Sequence, residues 1–516
     1  MAHPTFIGWL KQQRNSTRLG FVLQLGSRVA GAFAGLVWTR LLIDAMGDPL
    51  FGLFLSYQSV VALGGLGDLG LGGAVGIQTG QQLGRGDERG LRDFLATARA
   101  VFLLLALTMG LGFLAASPWL PGWLKFAPLT GAGSLPVLFV VGAVAIALVP
   151  LGSYAGNLNY ACGNLVWPVA PAFIATQLAL AAHWLLARGG GDLWMQTVPY
   201  LAASGVTLAL TWMYVRWSHP PLAELRPLRL NRRLIGGLVE KSFWAYLVSL
   251  GNLIFVTTDR LLINGGFGPG EVPRYQLNYK FCELVLFVIV TASFVSMPKI
   301  TQWLAAPGAE TRARAVREAQ RLNRFQTLVG VAAALAYLLL NDLFMRLWVG
   351  ETMRAPVAWQ AAFAGTLAVT AGGDAAIQMT GRLSDRGLRL AGLAVGLTGL
   401  LNLGLSIASM KAGSITGIAA ATVLAQTVLS LTLSRFVCGQ LGLNWWRWAL
   451  QSCLLPLAAI GLGAAARARW APDSWANATV LAAIFSVILF AVARGSGFDL
   501  AFVHEELRQL RQIFRR

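Results

Sequence analysis

Residues 63–76 read LGGLGDLGLGGAVG. Seven of these fourteen residues are glycine, and the only charge is Asp68. Within the stretch, Gly65-Leu-Gly67-Asp-Leu-Gly70 matches the G-x-G-x-x-G pattern of a dinucleotide-binding turn. That pattern carries its chemistry only between a strand and a helix of a βαβ unit, where the turn cradles a pyrophosphate. Here the preceding residues 50–62, LFGLFLSYQSVVA, form one apolar run. Asp87 and Glu88 have the spacing of a ribose ligand, yet they belong to a basic connector, QTGQQLGRGDERGLRD at 78–93. The glycines therefore read as small surfaces that let helices approach closely, or as a place where a helix bends.

Composition supports the helical reading. The chain has 516 residues, 56% of them hydrophobic and 12% charged, against roughly 25% charged in soluble proteins. Between Lys125 and Arg188 there is no Asp, Glu, Lys or Arg, and only one histidine, His183. Further uncharged runs cover 193–215, 284–298, 412–434, 448–466 and 474–493. A membrane-spanning helix needs about 20 apolar residues. Backbone groups in hydrocarbon must be satisfied within the segment, so the spans are helices. The short alternating strands of a β-barrel are absent from the pattern. The expected fold is an all-α polytopic membrane protein of about fourteen helices, at 20–43, 50–75, 94–116, 132–155, 163–186, 195–215, 238–263, 275–298, 323–344, 357–380, 388–410, 414–436, 446–466 and 474–493.

The formal charge of +19 is not a nucleic-acid signature, because of where it sits. Arginines and lysines crowd alternate loops, such as Arg85, Arg89 and Arg92, then Arg226, Arg229, Arg232 and Arg233, then Arg312, Arg314, Arg317 and Arg321. The opposite loops hold few, among them Lys125, Arg188, Arg274, Arg346, Arg354 and Lys411. By the positive-inside rule both termini face the cytoplasm. No cleavable signal pattern precedes the first span. Residues 1–19 read as a cytoplasmic amphipathic segment. Leu500, Val503, Leu507, Leu510 and Phe514 give 495–516 the period of a helix on the inner leaflet or against a cytoplasmic loop. Trp445, Trp446 and Trp448 read as anchors at an inner boundary, Trp119 and Trp123 at an outer one, with stacking on a ligand as the alternative. Cys162, Cys282, Cys438 and Cys453 have no metal or disulfide spacing and read as packing residues.

Arg40-Leu-Leu-Ile-Asp44 recurs as Arg260-Leu-Leu-Ile-Asn264. Each copy ends an apolar run, is followed by a glycine- and proline-containing turn, and leads into a second run that opens on aromatics: Phe51 and Phe54, then Tyr275 and Tyr279. An offset of about 220 residues is six spans, which preserves orientation, so the copies are parallel repeats. The expected organisation is an N-lobe at 20–216, a basic linker at 217–237, a C-lobe at 238–438 and two further helices at 439–494, with a cleft between the lobes. The short outer loops disfavour an enzyme, and no Walker motif is present.

The run Gly47-Asp-Pro-Leu-Phe51-Gly52-Leu-Phe, continued by Gly67-Asp68-Leu69-Gly70-Leu71-Gly72, resembles the N-terminal signature of bacterial polysaccharide exporters. These are the O-antigen-flippase (Wzx-type) members of the multidrug/oligosaccharidyl-lipid/polysaccharide superfamily. The signature covers about 30 residues, and the repeat and span count extend the resemblance along the chain. The resemblance implies a flippase that moves undecaprenyl-pyrophosphate-linked oligosaccharide to the outer leaflet of the bacterial inner membrane, for surface polysaccharide or lipopolysaccharide. Membrane lipids and glycan polymerase and glycosyltransferases are the expected partners, and no cofactor is expected; intramembrane carboxylates would allow coupling to H+ or Na+, and a cleft within one duplicated chain suits action as a monomer. The other reading within the superfamily is a cation-coupled multidrug exporter; a non-transporting scaffold for glycan assembly is a third.

Charges within spans are costly and mark candidates. Arg28 lies about 12 Å along span 1 at 1.5 Å per residue. It either pairs with Asp68 or grips pyrophosphate through two parallel hydrogen bonds. Arg40 and Arg260 occupy matching outer ends, where they snorkel or receive the departing phosphate. Ser242, Ser249, Asn252 and Asp259 share one helical arc, suited to sugar hydroxyls or to hydrogen bonds between lobes. Lys280 and Glu283 either neutralise each other or bind phosphate and a coupling ion. Asp374, after Gly372-Gly373, is a carboxylate for ion coupling or a partner of Arg382 and Arg386. The candidate set is thus Arg28, Arg40, Asn252, Asp259, Arg260 and Lys280 for substrate, and Asp68, Glu283 and Asp374 for coupling or gating.

Overall fold

The computed structural model describes residues 17–63, 70–72, 75–76, 79, 88–123, 135–161, 169–190, 193–218, 231–305, 308–472 and 474–496. The described residues are helical throughout, with no strand among them. The principal helices are α1 (Thr17–Met46), α2 (Asp48–Leu63), α3 (Glu88–Ala116), α4 (Leu135–Ala161), α5 (Val169–Arg188), α6 (Leu193–Ser218) and α7 (Arg232–Phe267). They continue with α8 (Glu271–Ala305), α9 (Ala309–Trp348), α10 (Val357–Leu383), α11 (Asp385–Lys411), α12 (Ile415–Leu441), α13 (Trp445–Arg469) and α14 (Trp475–Gly495). This is the all-α fold that the charge gaps predict. Among the described residues, nine helices are long and apolar enough to cross a membrane. The amphipathic terminal segments at 1–16 and 497–516 lie outside the described residues, as does Asp68.

Three helices exceed their expected spans by about ten residues or more. Helix α9 runs 40 residues because its polar first half, AETRARAVREAQRLNR, contains no breaker and is rich in strong helix formers. Glu310 and Arg314 pair across one turn at 2.6 Å on an exposed face. The apolar span follows without interruption. Helices α7 and α8 likewise merge span and connector over 36 and 35 residues.

The chain divides into two compact units. One comprises Met1–Leu253 with Ile263–Pro273, the other Ile254–Leu262 with Arg274–Arg516. In the first, α4 packs on α3 and α6, α5 on α6, and α1 on α5. Its core includes Leu71, Val75, Phe94, Phe102, Tyr154 and Leu158. In the second, α10 lies against α9, α12 and α13, while α11 packs on α12 and α14 on α13. Small residues permit this: a Cβ on Gly372 would overlap the Ser452 carbonyl, and one on Gly373 the Ser430 hydroxyl. Large apolar side chains point outward instead, such as Leu104, Leu107, Leu111, Leu397, Leu400 and Phe490. A lipid-solvated surface accounts for that inversion.

Part of the glycine-rich stretch lies among the described residues. Gly70 has φ +68°, a left-handed conformation natural to glycine. A Cβ there would stand 3.0 Å from the Ser242 carbonyl oxygen and 3.1 Å from the Tyr246 amide nitrogen. The last glycine of the formal G-x-G-x-x-G match therefore brings the chain against α7. Among the described residues a helix, α2, and not a strand precedes the stretch, so the dinucleotide reading fails.

Candidate functional site

The candidate polar groups of the second unit centre on three places. The first is centred on Asp259, 6% exposed, near the end of α7. Tyr275 at the start of α8 donates to its Oδ2 at 2.7 Å, and Thr422 of α12 at 3.3 Å. Thr422 also lies 3.2 Å from Asn402 Oδ1 on α11, and Ser406 sits one turn further along that helix. Tyr275 is held edge-on to Phe363 at 4.9 Å between ring centres. Asp259 Oδ1, Asn402 Nδ2 and Ser406 Oγ are buried without a hydrogen-bond partner among the described residues. A buried polar group without a partner carries a free-energy cost. One carboxylate surrounded by hydroxyl and amide groups suits a proton or a small hard cation, whose ligands are oxygens. No cluster of three or more His, Cys, Asp or Glu occurs among the described residues.

The second place is on α8. Lys280 Nζ lies 2.8 Å from Glu283 Oε2, and Gln276 donates to the other oxygen, Oε1, at 2.7 Å. Both charged side chains are about one-third exposed, at 32% and 27%. The third is Asp374 in α10, 4% exposed. Its Oδ2 accepts from Ser293 at 2.5 Å and from Gln326 at 2.9 Å, and Gln378 approaches Oδ1 at 3.4 Å. Neutral donors from α8, α9 and α10 thus converge on one carboxylate.

The remaining candidates are dispersed. Arg40 is half-exposed and reaches Asp44 one turn on at 3.8 Å. Arg260 is half-buried, and Asn252 and Ser249 are exposed, whereas Ser242 and Asp259 of the same expected stripe are buried. The stripe is therefore not a uniform face. Arg28 lies in α1, but its side chain is outside the described residues, so the expected pairing with Asp68 is too.

The sequence reading missed a network at the other end of α9. Asp342 Oδ2 receives Arg467 at 2.6 Å and Arg354 at 2.7 Å, while Gln360 donates to Oδ1 at 2.7 Å. Arg467 also donates to the Leu338 carbonyl. Its side chain is 1% exposed, so α13 is pinned to α9 through a buried charge. Nearby, Asn278 donates to Arg274 and Met353 carbonyls at 2.7 Å each, and accepts from Asn341 at 2.8 Å. In the loop between α9 and α10, the hydrogen bonds that Arg354 donates to Asp342 and then to Glu351 raise the pKa of its guanidinium above the ordinary value.

The tryptophan trio separates by role. Trp446 is 69% exposed, as an interface anchor would be. Trp445 donates to the Leu431 carbonyl at 3.2 Å, under the Arg435 guanidinium. Trp448 is buried. Cys282, Cys438 and Cys453 are free and buried, as packing residues are.

Scanned against protein-family models and against curated proteins, the sequence matches none. Solved structures do resemble it in fold. A lipid II flippase, MurJ, in an inward closed conformation aligns with a TM-score of 0.66 at 13% identity, covering 92% of this chain and 98% of the flippase. An inward-facing multidrug resistance transporter of the MATE family aligns at 0.57 and 13% identity, covering 80% of this chain and 98% of that one. An outward-facing structure of such a transporter aligns at 0.54 and 11%, covering 82% and 94%. Both transporter structures are described as members of the MOP superfamily. The chain thus has a polytopic fold that a lipid flippase and multidrug exporters share.

Proposed function

We propose that this chain is a transporter that carries an undecaprenyl-pyrophosphate-linked oligosaccharide from the inner to the outer leaflet of the bacterial inner membrane by alternating access. The glycan serves surface polysaccharide, lipopolysaccharide or O-antigen assembly. The observation that carries this reading is the fold shared with a lipid II flippase over nearly the whole of both chains. The exporter-like signature at 47–72 points the same way. In this reading Arg28, Arg40, Arg260 and Lys280 meet the pyrophosphate, because a phosphate in a poorly hydrated site needs cationic donors. Asn252 and Asp259 face the glycan. Asp68, Glu283 and Asp374 couple transport to H+ or Na+. The Asp259 cluster, with its unpartnered oxygen beside hydroxyl and amide groups, supports a second role for that residue in coupling.

The second reading, a cation-coupled multidrug exporter, is favoured by the MATE-family neighbours, which cover four-fifths of this chain. The two separate by substrate. Reconstituted protein is given a labelled polyprenyl-pyrophosphate glycan or an organic cation dye. Protein-dependent outward movement of the glycan supports the first. Export of the dye with the glycan stationary removes it.

A further inference from the structure

Where α9 passes the turn between α12 and α13, the second unit holds a cavity of about 190 Å³. Asn323, Arg324, Asn444, Arg447, Trp448 and Gln451 line it, and no acidic side chain does among the described residues. The guanidinium-bearing side chains of Arg324 and Arg447 thus share one cavity. Like charges set round one cavity are stabilised when an anion stands between them.

Two further atoms point to a ligand. Trp448 is 5% exposed, yet its Nε1–H has no hydrogen-bond partner among the described residues. An indole nitrogen can only donate, so it needs an acceptor. Asn323 is 3% exposed, and its Oδ1 is likewise without a partner. That oxygen can only accept. The cavity thus presents cationic and neutral donors beside one unused acceptor, which matches an anionic phosphodiester that also carries a hydroxyl.

The surroundings name the source. Arg324 is the last charge on α9 before the apolar run that follows it. On the charge asymmetry of the sequence, this is the cytoplasmic boundary. Next to the cavity on α13, Trp446, Leu450 and Leu454 recur every four residues and are 69%, 53% and 44% exposed. They form an outward apolar strip on which acyl chains can lie. A π turn at Leu450–Leu454 interrupts α13 at this level, and Gln451 within it donates to the Gly495 carbonyl at 3.2 Å. The turn joins the cavity wall to the end of α14. We infer that this cavity binds the phosphodiester headgroup of one inner-leaflet anionic phospholipid of the phosphatidylglycerol type, with Arg324, Arg447 and Trp448 Nε1 on the phosphate and Asn323 Oδ1 on a headgroup hydroxyl.

Native mass spectrometry of the full chain, extracted from vesicles containing phosphatidylglycerol or only phosphatidylcholine, tests this. One phosphatidylglycerol per chain is retained, and phosphatidylcholine is not. Arg324→Gln with Arg447→Gln lowers retention about tenfold or more, as loss of two charge-assisted contacts requires. Arg324→Lys with Arg447→Lys keeps part of it. Trp448→Phe preserves the ring, removes the donor and weakens retention several-fold, which decides the matter if the double Gln variant does not fold. Undiminished retention in a folded double Gln variant, or in Trp448→Phe, overturns the assignment. So does inorganic phosphate that binds through the same residues and is not displaced by phosphatidylglycerol, which would make this a soluble-anion site.

Discussion

The two copies of the Arg-Leu-Leu-Ile repeat use the same backbone and different chemistry. Each ends its helix at a left-handed glycine, Gly47 with φ +73° and Gly268 with φ +99°. The amide of that glycine bonds back to Ile43 at 2.8 Å in one copy and to Asn264 at 3.1 Å in the other. Each next helix opens on an acid, Asp48 or Glu271, which suits the helix dipole. The stretch from the repeat to the first aromatic is four residues longer in the second copy, so Phe51, Ser56 and Ser59 stand in sequence register with Tyr275, Lys280 and Glu283. In the first copy the two serine hydroxyls bond their own helix, to Gly52 and Leu55 carbonyls at 3.0 and 2.9 Å. In the second the same positions carry an ion pair, and the aromatic holds a buried carboxylate. Backbone turns can therefore be duplicated while the side chains at matching positions carry different chemistry.

The largest effect is expected beyond the repeat, in the second unit. Asp342→Ala leaves the buried Arg467 without its carboxylate, which costs about 3–5 kcal/mol. Asp44→Ala, in the first copy's exposed pair, costs no more than about 0.5 kcal/mol. Thermal unfolding in detergent compares the two, and equal losses would break the contrast. Next comes Gly52, in register with Gln276. A Cβ on Gly52 overlaps the Pro269 carbonyl, so Gly52→Ala should cost about 2–3 kcal/mol in a denaturant titration. Tyr275→Phe gives the second copy the residue of the first. It removes the hydroxyl donated to Asp259, and unfolding should show a loss of about 1–3 kcal/mol. Ser56→Ala removes only a bond to its own helix, and hydrogen exchange should report a change below about 1 kcal/mol.

Much of the fold was legible because lipid punishes charge. The runs 446–466 and 474–493 became α13 and α14 within a few residues, since their limits are set by polar residues at the water boundary. Helix α9 was legible only in its apolar half; the Arg- and Glu-rich half is helical by propensity and carries no membrane signal. Of the site, the carboxylates at 259 and 374 stood out as buried charges. Their neighbours did not, because Thr422, Ser293 and Gln326 are neutral and reach them from 48 to 163 residues away only after folding. Arg467 and Arg469 illustrate the limit best. Both are arginines in the last turn of α13, yet one is 2% exposed and the other lies open. Only the position of Asp342 distinguishes them.

The proposed transport makes Asp259 of the second copy a working group whose counterpart in the first copy, Thr39, is uncharged. Outward movement of a labelled undecaprenyl-pyrophosphate glycan in proteoliposomes tests it directly, with Asp259→Asn set beside Thr39→Val, its counterpart in the first copy. A fall of about tenfold or more in the Asn variant, equivalent to about 1.4 kcal/mol or more, is predicted, with the Val variant near the wild-type rate and both folded. Wild-type movement in Asp259→Asn, or an equal loss in both variants, would contradict it.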